Sequence, residues 1–296
     1  MDVKNKEKLS GAKLEKKSSL AARNWQKMLN NKLAMAGLIV FTIFILAAIF
    51  APLLTKYDPA KIDLTKIGVG PCKEHILGTD KLGRDVFTRI LYGGRTSITV
   101  GLLGAIFSTI IGVVFGCISG YFGGKIDSFF VRFSEILLTF PRMILILILV
   151  SLMGQGIENI IIIFTITGWM TTFRMVRNEF LKLREETYVE VSKAFGISEV
   201  IIMFKQILPN TLSPIFVATT LNIAGFILEE AGLSFLGLGV PSDVATWGNI
   251  INAAKTLDVI KNCWWLWLWP GAVISLFVLA VNFLGDGLRD VLDPKQ

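Results

Sequence analysis

Charged residues are scarce in this sequence and make up only 18% of its 296 positions. An average soluble protein carries about 25%. Apolar residues make up 53%, and the mean hydropathy is +0.61, so most of the chain avoids water. This composition excludes an ordinary soluble domain. Because the chain is so apolar, we interpret its formal charge of +7 as a basis for contact with membrane lipid and not with nucleic acid.

Cysteine, histidine and catalytic motifs are also rare or missing. The three cysteines lie far apart and form no CxxC pair: Cys72, Cys117 and Cys263. His75 is the single histidine and has no neighbouring ligand residues in sequence. Neither GxSxG nor HExxH occurs, and Gly124-Lys125 departs from a phosphate loop because Ile126 follows where a hydroxyl is needed. We therefore predict no catalytic, cofactor-binding or metal site, no enzyme activity, and no ATP binding by this chain.

Long apolar runs occur six times. A hydrocarbon core about 30 Å thick takes roughly 20 helical residues. The predicted spans are residues 33–54, 98–122, 126–153, 157–173, 211–228 and 263–284. The third carries Arg132, Glu135 and Arg142 and is interrupted by Pro141, because its uncharged part alone is too short to cross. The sequence therefore predicts an all-α, polytopic membrane protein with six transmembrane helices.

Lysine and arginine are unevenly distributed between the two predicted sides. With both termini in the cytoplasm, the cytoplasmic segments hold 19 of these residues and the outer segments hold 10. Cytoplasmic loops are enriched in Lys and Arg, so we predict cytoplasmic N- and C-termini. Residues 20–32 place Trp25, Met28 and Leu29 on one helical face, which is typical of a helix along the inner membrane surface. A disordered basic anchor is the alternative for residues 1–18.

The segment from Thr187 to Gly196 carries signals for both ends of a short helix. Thr187 can cap the first amides, Glu190 can reach back to the cap, and Gly196 supplies a left-handed end. One face holds four residues: Tyr188, Val191, Ser192 and Phe195. Isolated helices shorter than about 12 residues are marginal in water, so this helix needs a surface. A second helix is expected over residues 200–207, with Pro209 ending it.

Glu190, Gly196 and Leu208-Pro209 resemble the "EAA" cytoplasmic loop of ATP-binding-cassette importer permeases, although Val191 and Ser192 replace the two alanines. In that family the loop contains a coupling helix that docks on the ATPase subunit and transmits its closure to the membrane. A generic amphipathic loop is the alternative. The ATPase-coupling residues implied by the resemblance are Thr187, Tyr188, Val189, Glu190, Val191, Ser192, Lys193, Ala194, Phe195, Gly196, Leu208 and Pro209.

Three other segments extend the resemblance over nearly the whole chain. Residues 75–93 resemble the outer-loop signature of the second, C-type permease of oligopeptide, dipeptide and nickel importers. Residues 230–241, followed by Trp247-Gly248, are similar to that group's connection between the fifth and sixth spans, and residues 284–294 resemble its C-terminus. The chain thus resembles the binding-protein-dependent transport system inner membrane components, which implies the type I ABC importer permease fold.

The outer signature predicts tight turns followed by a short helix. We expect turns at residues 78–80 and at Gly83, and a helix from Arg84 to Tyr92 that Gly93-Gly94 end. Its charges are interpreted as structural polar contacts, with solute binding as the alternative. The signature residues are Gly78, Thr79, Asp80, Gly83, Arg84 and Asp85.

Charged side chains inside spans are costly and need partners or water. Glu135 and Arg142 lie two turns apart on one face of the predicted third helix, so they are the candidates for a translocation pathway. Arg132 and Glu229-Glu230 are expected at the membrane edges, where long side chains reach the headgroups.

The predicted organisation follows the spans. It comprises a basic cytoplasmic segment (1–32), the first span (33–54), an extracytoplasmic loop (55–95), a core permease domain (96–290) that includes the coupling loop (177–209), and a cytoplasmic tail (291–296).

The resemblance implies a multi-pass permease subunit of an ATP-driven importer in a bacterial or archaeal cell (inner) membrane. Its expected solutes are oligopeptides or dipeptides, ahead of nickel. The implied partners are a second permease, two ATP-binding subunits that hold ATP and Mg²⁺, and an extracytoplasmic solute-binding protein. Two alternatives stay open. One is an ion-gradient-driven transporter in which Glu135 or Glu229 carries the proton, and the other is a non-transporting membrane scaffold that recruits a cytoplasmic protein.

Overall fold

A computed structural model describes residues 28–29 and 31–292 of the chain. This described part is helical, and it contains no strand beyond one isolated bridge between Thr79 and Asp85. The predicted all-α class is therefore confirmed. Most of the basic segment 1–32, including Trp25, and the end of the tail 291–296 lie outside the described residues.

The α-helices follow one another with short connections, except for the loop before α3 and residues 237–246 before α10. In chain order they are α1 (Lys32–Ile49), α2 (Ala51–Leu54), α3 (Val86–Phe122), α4 (Gly124–Thr139), α5 (Arg142–Met153), α6 (Ile157–Leu183), α7 (Thr187–Ala194), α8 (Glu199–Ile201), α9 (Leu212–Leu236), α10 (Trp247–Asn252), α11 (Leu257–Asn262) and α12 (Trp265–Leu292). A π-helix (Ile202–Ile207) and a 3-10 turn (Leu208–Thr211) join α8 to α9, and further 3-10 turns cover Leu64–Lys66 and Ala253–Lys255.

Five helices of the described part are long and apolar enough to cross a membrane. They are α1, α3, α6, the continuous stretch from α8 through α9, and α12. The helices α4 and α5 pass the same test only when taken together, and the number is six if this bent pair is one broken span.

The broken span bends by 86° between α4 and α5. Proline disfavours the helical conformation of the residue before it. Phe140, which precedes Pro141, is accordingly extended with φ −86° and ψ 136°. A continuous third helix, which would place Glu135 and Arg142 on one face, is therefore wrong.

The two ends of this bent pair lie at opposite ends of the bundle. Asp127 in the first turn of α4 forms an ion pair with Arg177 of α6, with 2.5 Å between Asp127 Oδ1 and Arg177 Nε. After α5, the Gln155 side-chain amide donates to the carbonyl of Gly237 at 2.7 Å, just beyond α9. Because α6 and α9 run in opposite directions, the pair passes from one end of the bundle to the other, as a sixth span would.

The central packing is between α3 and α6, along a stripe of glycines in α3. The sequence places glycines at helical spacing there, and small residues let two helices approach closely. A Cβ atom added at each of three glycines would lie 2.5 to 2.7 Å from a side chain of α6, which leaves no room for one. These pairs are Gly112–Thr172, Gly116–Val176 and Gly120–Phe180.

The second span begins earlier than predicted. Helix α3 starts at Val86, where the Asp85 carboxylate accepts the amide of Thr88 at 2.8 Å, and it continues through Gly93 and Gly94. The predicted short helix ending at those glycines is wrong. They serve close packing instead, because a Cβ at Gly93 would lie 3.1 Å from the backbone carbon of Thr246.

The fifth span also extends beyond its predicted limits at both ends. Pro209 does not end a helix, because it lies in the first turn of the 3-10 segment, where a missing backbone donor is tolerated. The chain then continues into α9, which ends at Leu236 and closes on Gly237 in the left-handed conformation. Glu229 and Glu230 are therefore inside the helix and not at its edge.

Candidate functional site

The predicted short cytoplasmic helix is present as α7, between α6 and the segment that leads into α9. Its C-terminal end forms as predicted. Gly196 has φ +72°, its amide donates to Lys193 O at 2.9 Å, and the Ile197 amide donates to Ser192 O at 3.1 Å. The N-terminal prediction is wrong by one residue, because Glu186 is the cap, no side chain bonds there, and Thr187 is already helical.

One face of α7 is anchored to the chain's own helices. Val189 is fully buried, and the Ser192 hydroxyl donates to the Gln206 side chain at 2.8 Å. Val189 belongs to an apolar cluster contributed by α3, α6, the π-helix and α9: Cys117, Tyr121, Val176, Phe180, Ile202, Met203, Ile207 and Ile215. The structure thus supplies the surface that so short a helix requires.

The other face of α7 is apolar and exposed. Tyr188, Val191 and Phe195 have 38%, 47% and 82% of their surface exposed, and we call these three residues the coupling face. The sequence placed Ser192 on this face, but its side chain points inward to Gln206. An apolar helix face of this kind is suited to insertion into a groove of another protein.

Hydrogen bonds connect α7 to the base of the fifth span. Besides its bond with Ser192, Gln206 accepts the Asn210 side-chain amide at its carbonyl, at 2.9 Å. The same amide lies 3.5 Å from the hydroxyl of Tyr188. Leu208-Pro209 lie between these bonded residues in the 3-10 turn. A displacement of α7 would therefore be passed to α9 through polar contacts as well as packing.

The two predicted pathway residues are not brought together. Glu135 in α4 pairs with Arg132 of the same helix at 3.2 Å, and both side chains are exposed. Arg142 is the first residue of α5 and pairs with Glu229 of α9, with 3.2 Å between Arg142 Nη1 and Glu229 Oε1. The bend between α4 and α5 separates them.

The ion pair between Arg142 and Glu229 has unused hydrogen-bonding capacity. Within the described part of the chain, Arg142 Nε and Nη2 and Glu229 Oε2 are buried and have no hydrogen-bond partner. The guanidinium also lies 5.0 Å from the centre of the Phe226 ring. Ionisable groups at membrane depth face a protein interior or a water-filled route in preference to lipid. Arg142 and Glu229 are therefore better pathway candidates than Glu135.

Glu230 has no basic partner among the residues described, and it is completely buried. Its carboxylate accepts the hydroxyl of Ser234 at 2.8 Å and that of Ser97, in α3, at 3.2 Å. Ser97 in turn accepts the backbone amide of Trp247 at 3.1 Å. The carboxylate thus connects the second span, the fifth span and helix α10. The expectation that the Glu230 side chain reaches outward to the headgroups is wrong, because the side chain is buried among these helices.

The outer signature forms a compact set of turns held by Asp80 and Asp85. Asp80 accepts the amides of Leu82 and Arg84 at 2.8 and 3.0 Å, and it pairs with the Arg84 Nε at 2.7 Å. Asp85 caps α3 and lies 2.9 Å from His75 Nδ1, so the single histidine has a carboxylate neighbour. These are the polar contacts that the sequence predicted; a role in transport stays a prediction for them.

Glycine and threonine complete the outer signature. Gly78 and Gly83 have φ of +78° and +71°, in the region that other residues rarely adopt. The Thr79 hydroxyl donates to Lys66 O at 2.5 Å, and the Trp265 indole donates to Thr79 O at 3.1 Å. Across residues 28–29 and 31–292, no three His, Cys, Asp or Glu side chains are grouped as a metal site requires.

Comparison with known proteins places this arrangement in a family. Residues 112–296 match the model of the family described as "Binding-protein-dependent transport system inner membrane component", and residues 19–71 match the "N-terminal TM domain of oligopeptide transport permease C". The chain belongs to the first of these families. It is a multi-pass membrane permease subunit and not an enzyme.

Full-length relatives of this permease are found in several bacteria. It is 40% identical to the "Dipeptide transport system permease protein DppC" of Bacillus subtilis over 99% of its own length and 92% of that protein. It is 42% identical to the DppC of Alkalihalophilus pseudofirmus over 92% and 89% of the two lengths. It is 40% identical to the "Oligopeptide transport system permease protein OppC" of Bacillus subtilis over 96% and 92%.

Three important residues of the permease were named from the sequence, but their surroundings were not predicted. Val189 was included among the coupling residues, but not as the residue that anchors α7. It sits one position away from the apolar face that was identified, and its spacing of three from Ser192 was the available signal. Glu229 and Glu230 were misplaced because the fifth span was ended at Leu228. The continuing apolar pattern through Leu233 and Leu236 could have extended it.

Proposed function

We propose that this permease is one of two membrane-spanning subunits of an ATP-driven importer of oligopeptides or dipeptides. The proposal is supported by relatives named for dipeptide and oligopeptide transport, which match it over nearly their full lengths. The names of these three relatives give no support to nickel as the solute.

The observation that carries the proposal is the two-sided character of α7. Val189 anchors one side in the permease, while Tyr188, Val191 and Phe195 are left exposed on the other. We propose that this coupling face inserts into a groove of an ATP-binding subunit. ATP and Mg²⁺ would bind to that partner and not to the permease.

Movement of the ATP-binding subunits would reach the membrane through α7 and the base of α9. The bonds of Gln206 to Ser192 and Asn210 support this route. The solute pathway would run past the ion pair of Arg142 with Glu229, and Glu135 would lie on the same route nearer the cytoplasm. Binding of the solute and of ATP would shift the permease between two conformations. Each ligand can do so only if its affinity differs between the two conformations.

The proposed assembly contains this permease, a second permease, two ATP-binding subunits and an extracytoplasmic solute-binding protein. In a bacterial or archaeal cell membrane, six crossings would place both termini on the cytoplasmic side together with α7. The outer signature and α10 would then face the solute-binding protein. The type I importer permease fold is part of the same proposal.

Uptake of a labelled peptide by the reconstituted complex tests this function. We expect peptide to accumulate in vesicles that contain both permeases and the ATP-binding subunits, supplied with ATP and the binding protein, and to do so in the presence of a protonophore. Accumulation that needs an ion gradient and no ATP-binding subunit would favour the secondary transporter. Absence of any flux, with the complex intact, would favour the scaffold.

A further inference from the structure

A cleft of about 550 Å³ opens on the outer side of the permease, between the end of the first span and the extracytoplasmic loop. Its volume is within the range of small-molecule sites, which is about 300 to 1,000 Å³. The residues that line it come from α2, the loop and the first turn of α3: Pro52, Leu53, Leu54, Thr55, Lys56, Tyr57, Lys73, Glu74, Ile76, Asp85 and Phe87.

The lower wall of the cleft is apolar and lies at the membrane boundary. Helix α1 has 18 residues and therefore spans about 27 Å, slightly less than a hydrocarbon core of about 30 Å. Helix α2 continues the first span, so its residues lie where the hydrocarbon ends. Leu53 and Leu54 are 81% and 52% exposed, and Phe87 is half-buried opposite them. Exposed leucines at this depth require an apolar neighbour.

The upper wall is basic. Lys56 and Lys73 both line the cleft and are exposed, and neither ammonium group makes a hydrogen bond or an ion pair with another described residue. The Lys56 ammonium lies over the face of the Tyr57 ring, at 5.4 Å from its centre. Two lysines without an acidic partner can hold one phosphate group between them.

The two carboxylates in the lining do not cancel this charge. Glu74 is paired with Lys66 at 2.9 Å, and the hydrogen bond from Lys66 lowers the pKa of Glu74, so the pair is neutral overall. Asp85 keeps its negative charge, but both of its oxygens are turned to other groups, one to the amide and hydroxyl of Thr88 and the other to His75. Against two unpaired lysines, this one carboxylate leaves the cleft with a net positive charge.

We propose that this cleft binds one anionic phospholipid of the outer leaflet. Its phosphate lies between Lys56 and Lys73, and the upper part of one acyl chain lies along Leu53, Leu54 and Phe87. A basic rim above an apolar wall at the membrane boundary matches the two chemical parts of such a lipid. The site would hold the first span against the outer loop, and it is independent of which solute is transported.

Lipid retention by the purified complex tests the site. The complex is reconstituted in nanodiscs of phosphatidylcholine with phosphatidylglycerol, transferred to mild detergent, and its bound lipid is measured by native mass spectrometry. We expect retained phosphatidylglycerol to exceed phosphatidylcholine. In the double variant Lys56→Gln, Lys73→Gln, retention should fall by about twenty- to thirtyfold, because each lysine near an anionic lipid contributes about 1 kcal/mol and about 1.4 kcal/mol corresponds to a factor of ten. The matched variant Lys61→Gln, Lys261→Gln removes two exposed lysines outside the cleft and should keep the lipid.

A second measurement locates the acyl chain. Phosphatidylglycerol with a photoreactive group near the top of one chain should label peptides that contain Leu53, Leu54 or Phe87. The proposal would be overturned if the complex retained the two lipids equally, or if both double variants lost phosphatidylglycerol to the same extent. Labelling of peptides that contain none of these three residues would also overturn it. In the variant Lys73→Cys, protection of the thiol from a water-soluble maleimide by the solute-binding protein or the second permease would also overturn the proposal, because the cleft would then be a contact between proteins.

Discussion

Arg142 and Glu229 face each other across α5 and α9, with 3.2 Å between the Arg142 Nη1 and the Glu229 Oε1. Each is the other's only charged partner within the described residues. The pair joins the broken third span, immediately after its bend, to the fifth span. A rearrangement that separates these two spans at this point would therefore break this contact.

Removing one charge of this pair should cost more than removing both. Glu229→Gln leaves the guanidinium without a counter-charge, and such single changes cost about 3 to 5 kcal/mol in a buried pair; partial exposure of both side chains reduces this here. The double variant Arg142→Gln, Glu229→Gln should regain part of the lost thermal stability. The measurement is a double-mutant cycle of unfolding in detergent. Additive losses would show that the two charges act independently.

Gly196 should be intolerant of a side chain for a purely conformational reason. It has φ +72°, and a Cβ there would meet no atom within 4 Å. Gly196→Ala should therefore destabilise the end of α7 by about 1 kcal/mol or more through backbone strain alone, and uptake should fall with it. Gly225→Ala is the control, because this glycine lies within α9 and is equally open. That control should match or exceed wild-type stability. Equal behaviour of the two variants would contradict the role given to Gly196.

Features that depend on local chain geometry could be predicted from the sequence. The left-handed end at Gly196 and the close approach at Gly112 and Gly116 follow from glycine's lack of a Cβ within a helical pattern. Gly93 and Gly94 show the limit of this reasoning. The same residue type that ends one helix lies inside another, and only the position of Thr246 and Trp247 decides between the two.

Contacts between residues that are distant in sequence could not be predicted in the same way. Whether Glu230 is buried depends on Ser97, which is distant in sequence and comes close only when α3 and α9 pack. The separation of Glu135 from Arg142 follows from one extended residue, Phe140, before a proline. Prolines within spans produce anything from a slight kink to a full break, and the surrounding packing determines which.

Glu230 should stabilise the packing of α3, α9 and α10 against one another. Glu230→Ala would leave the hydroxyls of Ser97 and Ser234 without their acceptor, at a cost of about 1 to 3 kcal/mol. Glu230→Gln keeps one acceptor oxygen and should lose less. Thermal unfolding and the protease sensitivity of the segment around Trp247 measure both effects. Glu158→Gln, an exposed acidic residue of α6, is the control and should change neither.

The coupling face provides the most direct test of the account. The ratio of peptide transported to ATP hydrolysed should be measured for reconstituted complexes carrying Phe195→Asp. Leu257→Asp, which alters a similarly exposed apolar residue in α11, is the matched control. A charge placed at the centre of a docking contact costs about 2 kcal/mol or more, so this ratio should fall by at least about tenfold in the first variant and stay unchanged in the second. A wild-type ratio for Phe195→Asp, with the protein correctly inserted, would contradict the proposal that α7 couples the permease to ATP hydrolysis.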